Sequence, residues 1–236
     1  MINKDNLREA AARFDVSLDA QALERFAIYA DFLRTYNEKV NLTAITEPDE
    51  IAVKHFEDSL AVLRYADIAA GAKLCDVGTG AGFPGIALLI ARPDLALTLI
   101  EATNKKLIFI NELLAKLELS ATLVHMRGEE AGRVAPYREN FHVVTARAVA
   151  ELRKLAEYCI PLVKKNGVFI AMKAQTAAQE LRDSVAAIRI LGGAAPQTYP
   201  YMLSNGDSRT VITVKKISHT SAQYPRPSAI ITKKPL

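Results

Sequence analysis

Three glycines at alternating positions, Gly78, Gly80 and Gly82, lie within Asp76-Val77-Gly78-Thr79-Gly80-Ala81-Gly82-Phe83-Pro84-Gly85. Glycine lets the backbone take left-handed conformations and lets a ligand approach bare amides. Lys73 to Val77 has the apolar density of a short buried strand, and Ile86 to Ala91 reads as a helix body with Pro84 in its first turn. A strand, a glycine turn and a helix start in that order make a nucleotide-type cofactor site. Gly80, Gly82 and Gly85 also satisfy G-x-G-x-x-G, and Glu101 follows Gly82 by 19 positions, near the spacing of a ribose-binding acid. A nicotinamide enzyme therefore competes with a methyl-transfer enzyme. Asp76 favours the second, because a carboxylate at the turn would repel a pyrophosphate, whereas S-adenosyl-L-methionine brings an ammonium and a sulfonium. Glu101 is suited to accept hydrogen bonds from ribose hydroxyls.

Further chemistry is expected at the ends of the other strands. Glu101-Ala102-Thr103, Arg127-Gly128-Glu129-Glu130, Thr145-Ala146-Arg147-Ala148 and Lys173 each follow an apolar run. Gly128 and Glu129 are placed to meet an adenine amino group, Phe83 to wall the pocket, and Glu130 to complement a helix dipole. Arg147, always charged at the end of a central strand, requires an anionic or aromatic partner, either a ligand or an ion pair with Asp76 or Glu151. Lys173 reads first as a solvated lysine. Of the ten prolines none adjoins another, so the Asn/Asp-Pro-Pro-aromatic turn of exocyclic-amine methylation is absent. Cys159, in a helical stretch before Ile160-Pro161, is poorly placed as a nucleophile for pyrimidine C5 chemistry.

The elements that must position these residues follow from periodicity. Helical spacing runs from Asp19 to Tyr36 and again from Pro48 to Tyr65, with Thr46 or Asp49 as the cap of the second. Beyond the turn, strands and helices alternate: 96–100 then 104–117, 121–126 then a short segment, 141–146 then 151–163, 167–173 then 177–191. That alternation predicts an α/β fold, a mostly parallel Rossmann-like sheet with ligands at the strands' carboxyl ends. Thr210 to Val214 has no room for a further crossover and is expected to run antiparallel at or near an edge. The expected organisation is a single domain overall: a helical extension over 1–66, the α/β core over 67–217 and a basic tail over 218–236.

Half of the 236 residues are apolar and the net charge is +4, enough chain for one full core. The charge is local, since after Asp207 there are six basic side chains and no acid, which leaves about −2 for the rest by subtraction. A polyanion partner near the C-terminus and a solvated tail both fit that pattern. Two cysteines without metal-ligand spacing read as free buried thiols in a reducing compartment, and the longest apolar runs are too short for a membrane span. A cytoplasmic protein without a metal is the expectation, and a monomer.

Together, DVGTGAGFPG, NLTAI at 41–45, VKHFEDSL at 53–60, NKK at 104–106, VVTARAVA at 143–150 and the tail YPRPSAIITKKPL carry a closer likeness. Over roughly residues 23–236 the chain resembles the bacterial 16S rRNA guanine-N7 methyltransferase family, RsmG or GidB. The resemblance implies a class I S-adenosylmethionine-dependent methyltransferase sheet and methylation of a guanine N7 in the 530 loop of 16S rRNA, on the small subunit or an assembly intermediate. It places cofactor contacts on Gly78, Phe83, Glu101, Ala102, Thr103, Gly128, Glu129 and Arg147. Two departures are Gly128, where a bulkier residue is common, and the lysine-poor 218–223. Guanine N7 has an in-plane lone pair and no proton to lose, so no general base is required and positioning and desolvation carry the reaction. No catalytic residue is certain on this reading; His55, Asp58 and Arg147 are candidates for positioning a base swung out of its stack, and Asp58 for facing the cationic product. The alternatives are a small-molecule methyltransferase, a nicotinamide oxidoreductase and a non-catalytic ribosome-assembly factor.

Overall fold

The computed structural model describes residues 1–174 and 178–236. Asn3 and Asp19 cap the first two helices, their side chains accepting from backbone amides of the first turn. These are α1 (Lys4–Ala12) and α2 (Ala20–Asn37). The stretch expected as one helix from Pro48 to Tyr65 is instead broken into α3 (Pro48–Ile51), a π-helical segment (Ala52–Glu57), α4 (Asp58–Leu60) and α5 (Val62–Tyr65). Neither Thr46 nor Asp49 caps it. Glu47 holds the cap position without a side-chain bond, and Pro48 fills the first turn, where no amide is needed.

The core then runs β1 (Lys73–Val77), α6 (Gly85–Ala91), β2 (Ala96–Glu101), α7 (Asn104–Leu117), β3 (Thr122–His125), α8 (Gly128–Ala131), β4 (Phe141–Arg147), α9 (Leu152–Cys159), β5 (Val163–Lys173) and α10 (Ala178–Ile190). The expected start of α10 at Ala177 lies outside the described residues. β6 (Gln197–Met202), β7 (Ser208–Lys215) and α11 (Ser228–Lys233) complete the chain.

The sheet order is β3-β2-β1-β4-β5-β7-β6. β1 to β5 are parallel, while β7 is antiparallel to both β5 and β6. Strand neighbours alternate between faces: Leu74, Leu97, Leu99, Val143 and Ile170 pack under α2, α6 and α7, whereas Cys75, Ile100, Val144 and Phe169 pack under α9 and α10. Chain order reverses between β1 and β4. A crevice therefore opens at the carboxyl ends of these two strands, where the glycine turn and Arg147 emerge. Among the described residues no helix is long and apolar enough to cross a membrane, and both cysteines are free and buried.

Candidate active site

The turn after β1 needs its glycines. Gly78, Gly80 and Gly82 have φ of 67°, 61° and 100°, in the left-handed region. Glu101, at the end of β2, ties the turn down: its carboxylate accepts from Gly80 N at 3.0 Å and from Thr103 N at 2.9 Å. A cavity of about 390 Å³ opens beside it, walled by Gly78, Glu101, Ala102, Gly128 and Glu129 of the expected set. Lys106 of the NKK motif, Val149 of VVTARAVA and Tyr158, the last not singled out from the sequence, are also among these walls. Thr103, Phe83 and Arg147 lie outside this wall. Glu130 is exposed and accepts from Arg127 N, as a first-turn acid does.

Asp76 has another task than the one its position suggests. It is fully buried, its Oδ2 accepting from Gly85 N at 3.1 Å and its Oδ1 from Thr145 Oγ1 at 3.1 Å. Burial pushes its carboxyl up to about 6. It anchors the start of α6 to β4 and does not wall the cavity, so the charge argument made for it from sequence does not operate there.

A second cavity, about 340 Å³, shares Ala148 with the first and is lined by Lys54, His55, Asp58, Arg147, Lys173 and Arg209 among others. Ala148 has φ 55°, a conformation alanine adopts only under constraint, and it turns the chain sharply after β4. Arg147 is the hub. Its guanidinium donates to Asp58 Oδ2 at 3.0 Å and to the Lys54 carbonyl in the π-helical segment at 3.2 Å, lies 3.2 Å from His55 Nδ1, and sits 4.8 Å above the Phe83 ring. Its anionic partner is thus Asp58, neither Asp76 nor Glu151. Phe83 stacks between Tyr29 and His55, at centroid distances of 4.9 and 4.5 Å. Tyr201 donates to Asp58 Oδ1 at 2.7 Å, and Arg209 lies 3.7 Å from the same oxygen. His55 Nε2 meets Thr43 Oγ1 at 3.0 Å. Burial, reinforced by Arg147, drives His55 down to about 3, so the ring is neutral at physiological pH. Lys173 pairs with Glu180 at 2.6 Å and donates to the Ala150 carbonyl, so it is not the solvated lysine expected.

The expected residues thus fall into two adjoining groups. Tyr201 and Arg209 were missed because β6 and β7 reach Asp58 only through the antiparallel return of the sheet. Thr43 lay within NLTAI, without a periodicity that sets it apart.

The family model described as GidB, rRNA small subunit methyltransferase G, matches residues 22–210. The chain belongs to this family. It is similar to the ribosomal RNA small subunit methyltransferase G of Oceanobacillus iheyensis, with 43% identity over 94% of both chains. Its similarity to the Bacillus subtilis protein of the same name is 40%, over 100% of this chain and 99% of that one. Among solved structures it resembles a SAM-dependent O-methyltransferase from Thermotoga maritima, with TM-score 0.57 and 13% identity over 80% of this chain and 72% of that one. That likeness shows the fold, a class I methyltransferase sheet.

The methyl donor of a GidB-family methyltransferase is S-adenosyl-L-methionine, and the residues at the glycine turn fit it. A Cβ on Gly78 would meet Val149 Cγ2 at 2.8 Å, and one on Gly128 would meet Val77 Cγ1 at 2.7 Å, so only glycine leaves both walls undisturbed. Glu129 is buried in the cavity wall, and its Oε1 has no hydrogen-bond partner among the described residues, an acceptor left for a ligand to satisfy. Each Glu101 oxygen, having accepted one amide, keeps a lone pair for a hydroxyl.

Proposed function

We propose that this chain methylates N7 of a guanine in the 530 loop of 16S rRNA, with S-adenosyl-L-methionine as donor. The observation that carries the reading is that neither His55 nor Asp58 stands free as a base in the second cavity: His55 Nδ1 lies beside Arg147 and its Nε2 meets Thr43 Oγ1, while the Asp58 oxygens accept from Arg147 and Tyr201. Burial, with Arg147, also lowers the basicity of the His55 ring. Guanine N7 asks for no base. When bound, the donor would supply an electrophilic methyl on its sulfonium: the N7 lone pair would bond to that carbon as the S–C bond breaks, with the donor leaving as its neutral thioether and the positive charge passing to the guanine.

The chain's residues divide the remaining work. Gly78, Glu101, Ala102, Gly128 and Glu129 hold the donor, and Thr103, outside the cavity wall, steadies Glu101 through its backbone amide: Glu101 accepts from the ribose hydroxyls and Glu129 from the adenine amino group. Phe83 supports Arg147 from below, and the guanidinium, fixed by Asp58 and the Lys54 carbonyl, presents its plane and remaining N–H groups to the guanine. Asp58 is a positioning residue rather than a free counter-ion, since Arg147 and Tyr201 already occupy its oxygens. His55 fills the wall and keeps the crevice uncharged at that point. The 1–66 helical extension supplies one side of this second cavity, the 67–217 core supplies the rest, and 218–236 packs on α9.

The test is methyl transfer to unmethylated small-subunit particles followed by mapping of the modified base. The expected product is a single N7-methylguanine in the 530 loop. Modification of another atom or another loop would overturn the substrate assignment. Transfer to small molecules alone would return the chain to the small-molecule reading.

A further inference from the structure

A cavity of about 750 Å³ lies away from the active crevice, at the amino ends of β4 and β5 and the carboxyl end of β7. Lys164, Lys165 and Lys215 line it, and Asp67 is the one acid among its walls. Lys73 stands beside it, with its backbone amide on His142 Nδ1 at 3.1 Å. None of the four lysines makes an ion pair among the described residues, although Lys54, Lys173 and Lys216 all do. Like charges gathered without a counter-ion repel one another, and burial together with Lys164 and Lys73 lowers the pKa of His142. With Nδ1 accepting, neutral His142 carries its proton on Nε2, an N–H in the same wall.

One wall is aromatic. Tyr199 stacks on Tyr65 at 5.2 Å and 18°, and Tyr65 in turn packs on Tyr201 at 5.8 Å. The outer ring of this stack faces the lysine cavity, and the inner one bonds Asp58 at the active site. A row of aromatic rings thus leads from the groove toward the guanine-receiving cavity. Clustered cations take up phosphates by releasing counter-ions, and aromatic faces take up bases regardless of sequence.

We propose that this groove is a second RNA contact, in which Lys164, Lys165 and Lys215 meet phosphates of a single-stranded segment of the substrate and Tyr199 stacks on one of its bases. The inference rests on the RNA reading above and extends it to a surface at the far end of β5. Lys164 and Lys173 are separated by roughly 30 Å of strand at about 3.3 Å per residue. The groove would let the enzyme hold a substrate with tertiary structure at two points, as recognition of RNA by shape requires.

The experiment compares the wild type with Lys164→Ala/Lys165→Ala/Lys215→Ala, with Tyr199→Leu, and with Lys39→Ala/Lys116→Ala/Arg189→Ala, which removes the same charge elsewhere. Binding to unmethylated small-subunit particles is measured across a salt series, with methyl transfer at saturating particle and donor affinity by calorimetry. The groove triple variant is expected to bind about tenfold more weakly and to flatten the log K against log salt slope by about 2 to 3. Tyr199→Leu is expected to weaken binding by about tenfold with the slope unchanged. Donor affinity and kcat at saturation stay at wild-type values in both. Equal slopes for the groove and control triples overturn the proposal. So does lysine-dependent binding of guanosine monophosphate with particle binding unaffected, which would make the groove a free-nucleotide site. If the wild type itself fails to methylate particles, the substrate reading fails instead, and the two failures are told apart.

Discussion

His55 and Asp76 both feel Arg147 and titrate in opposite senses. The histidine, lowered to about 3, stays neutral in the folded protein while the unfolded chain takes up a proton below about 6.5. Between those values the unfolded state binds more protons, so this residue makes stability fall as pH falls from about 6.5 toward 3. Asp76, raised to about 6, does the reverse: between about 3.8 and 6 the folded state binds more protons, and stability falls as pH rises through that window. The two trends partly offset one another in the native protein, and substitution exposes each. His55→Gln is expected to shrink the stability difference between pH 7 and pH 4.5 by roughly 1–2 kcal/mol, measured by urea denaturation at each pH; no change would mean that the native ring is protonated. Arg147→Lys keeps the charge and loses the planar fork that spans Asp58, the Lys54 carbonyl and the Phe83 face. Single-turnover methyl transfer is expected to fall by about 100-fold with the fold intact, the scale of a small misplacement at a reacting centre. Wild-type rates in that variant would remove the guanidinium from the site.

At the scale of elements, two devices shape the crevice, and only one was legible in the sequence. The glycine turn was legible because its requirements are local: left-handed backbone, a buried strand before it and an apolar helix after it. The parallel strands were legible for a related reason, since burial on both faces leaves continuous apolar runs. The π-helical segment at Ala52–Glu57 was not, because Val53, Phe56 and Leu60 keep spacing that suits an ordinary helix. Its widened turn is a tertiary outcome, in which the carbonyls of Lys54 and His55 accept from Arg147, 93 and 92 residues away in sequence. β6 was hidden by Pro200 and by a largely exposed edge position, where no apolar run is demanded. α1 carried its signal in Asn3, Leu7, Ala10 and Ala11 but is short and mostly polar. For the glycine turn the expectation is quantitative. Gly78→Ala forces a left-handed alanine and drives its Cβ against Val149, so it should cost about 1–3 kcal/mol in denaturation and weaken donor binding in calorimetry. Unchanged donor affinity would show that the wall at Val149 is not part of the donor site.

Across the whole molecule, the basic C-terminal segment is only partly a surface charge. Three of its six cations face inward: Arg209 pairs with Asp207 and approaches Asp58, Lys216 is buried against Glu139, and Arg226 forks onto the fully buried Glu157. Arg138 adds donors to the carbonyls of Thr220 and Tyr224, and Arg153 holds the Leu236 carbonyl. The segment therefore closes over α9 as a strap, and Ile231 is buried beneath it. A count of charges cannot distinguish a cation that meets phosphate from one that neutralises an internal acid 69 residues away. The two roles separate experimentally. Arg226→Ala strands a buried carboxylate and is expected to cost about 3–5 kcal/mol, with faster amide exchange concentrated over 217–236. Measured well below its melting temperature, the variant should keep the wild-type salt slope for particle binding, because Arg226 releases no counter-ions when RNA binds. A slope reduced by about 1 would instead make it a phosphate contact. The strap would then be part of the RNA interface rather than the brace that holds α9 against β4 and β5.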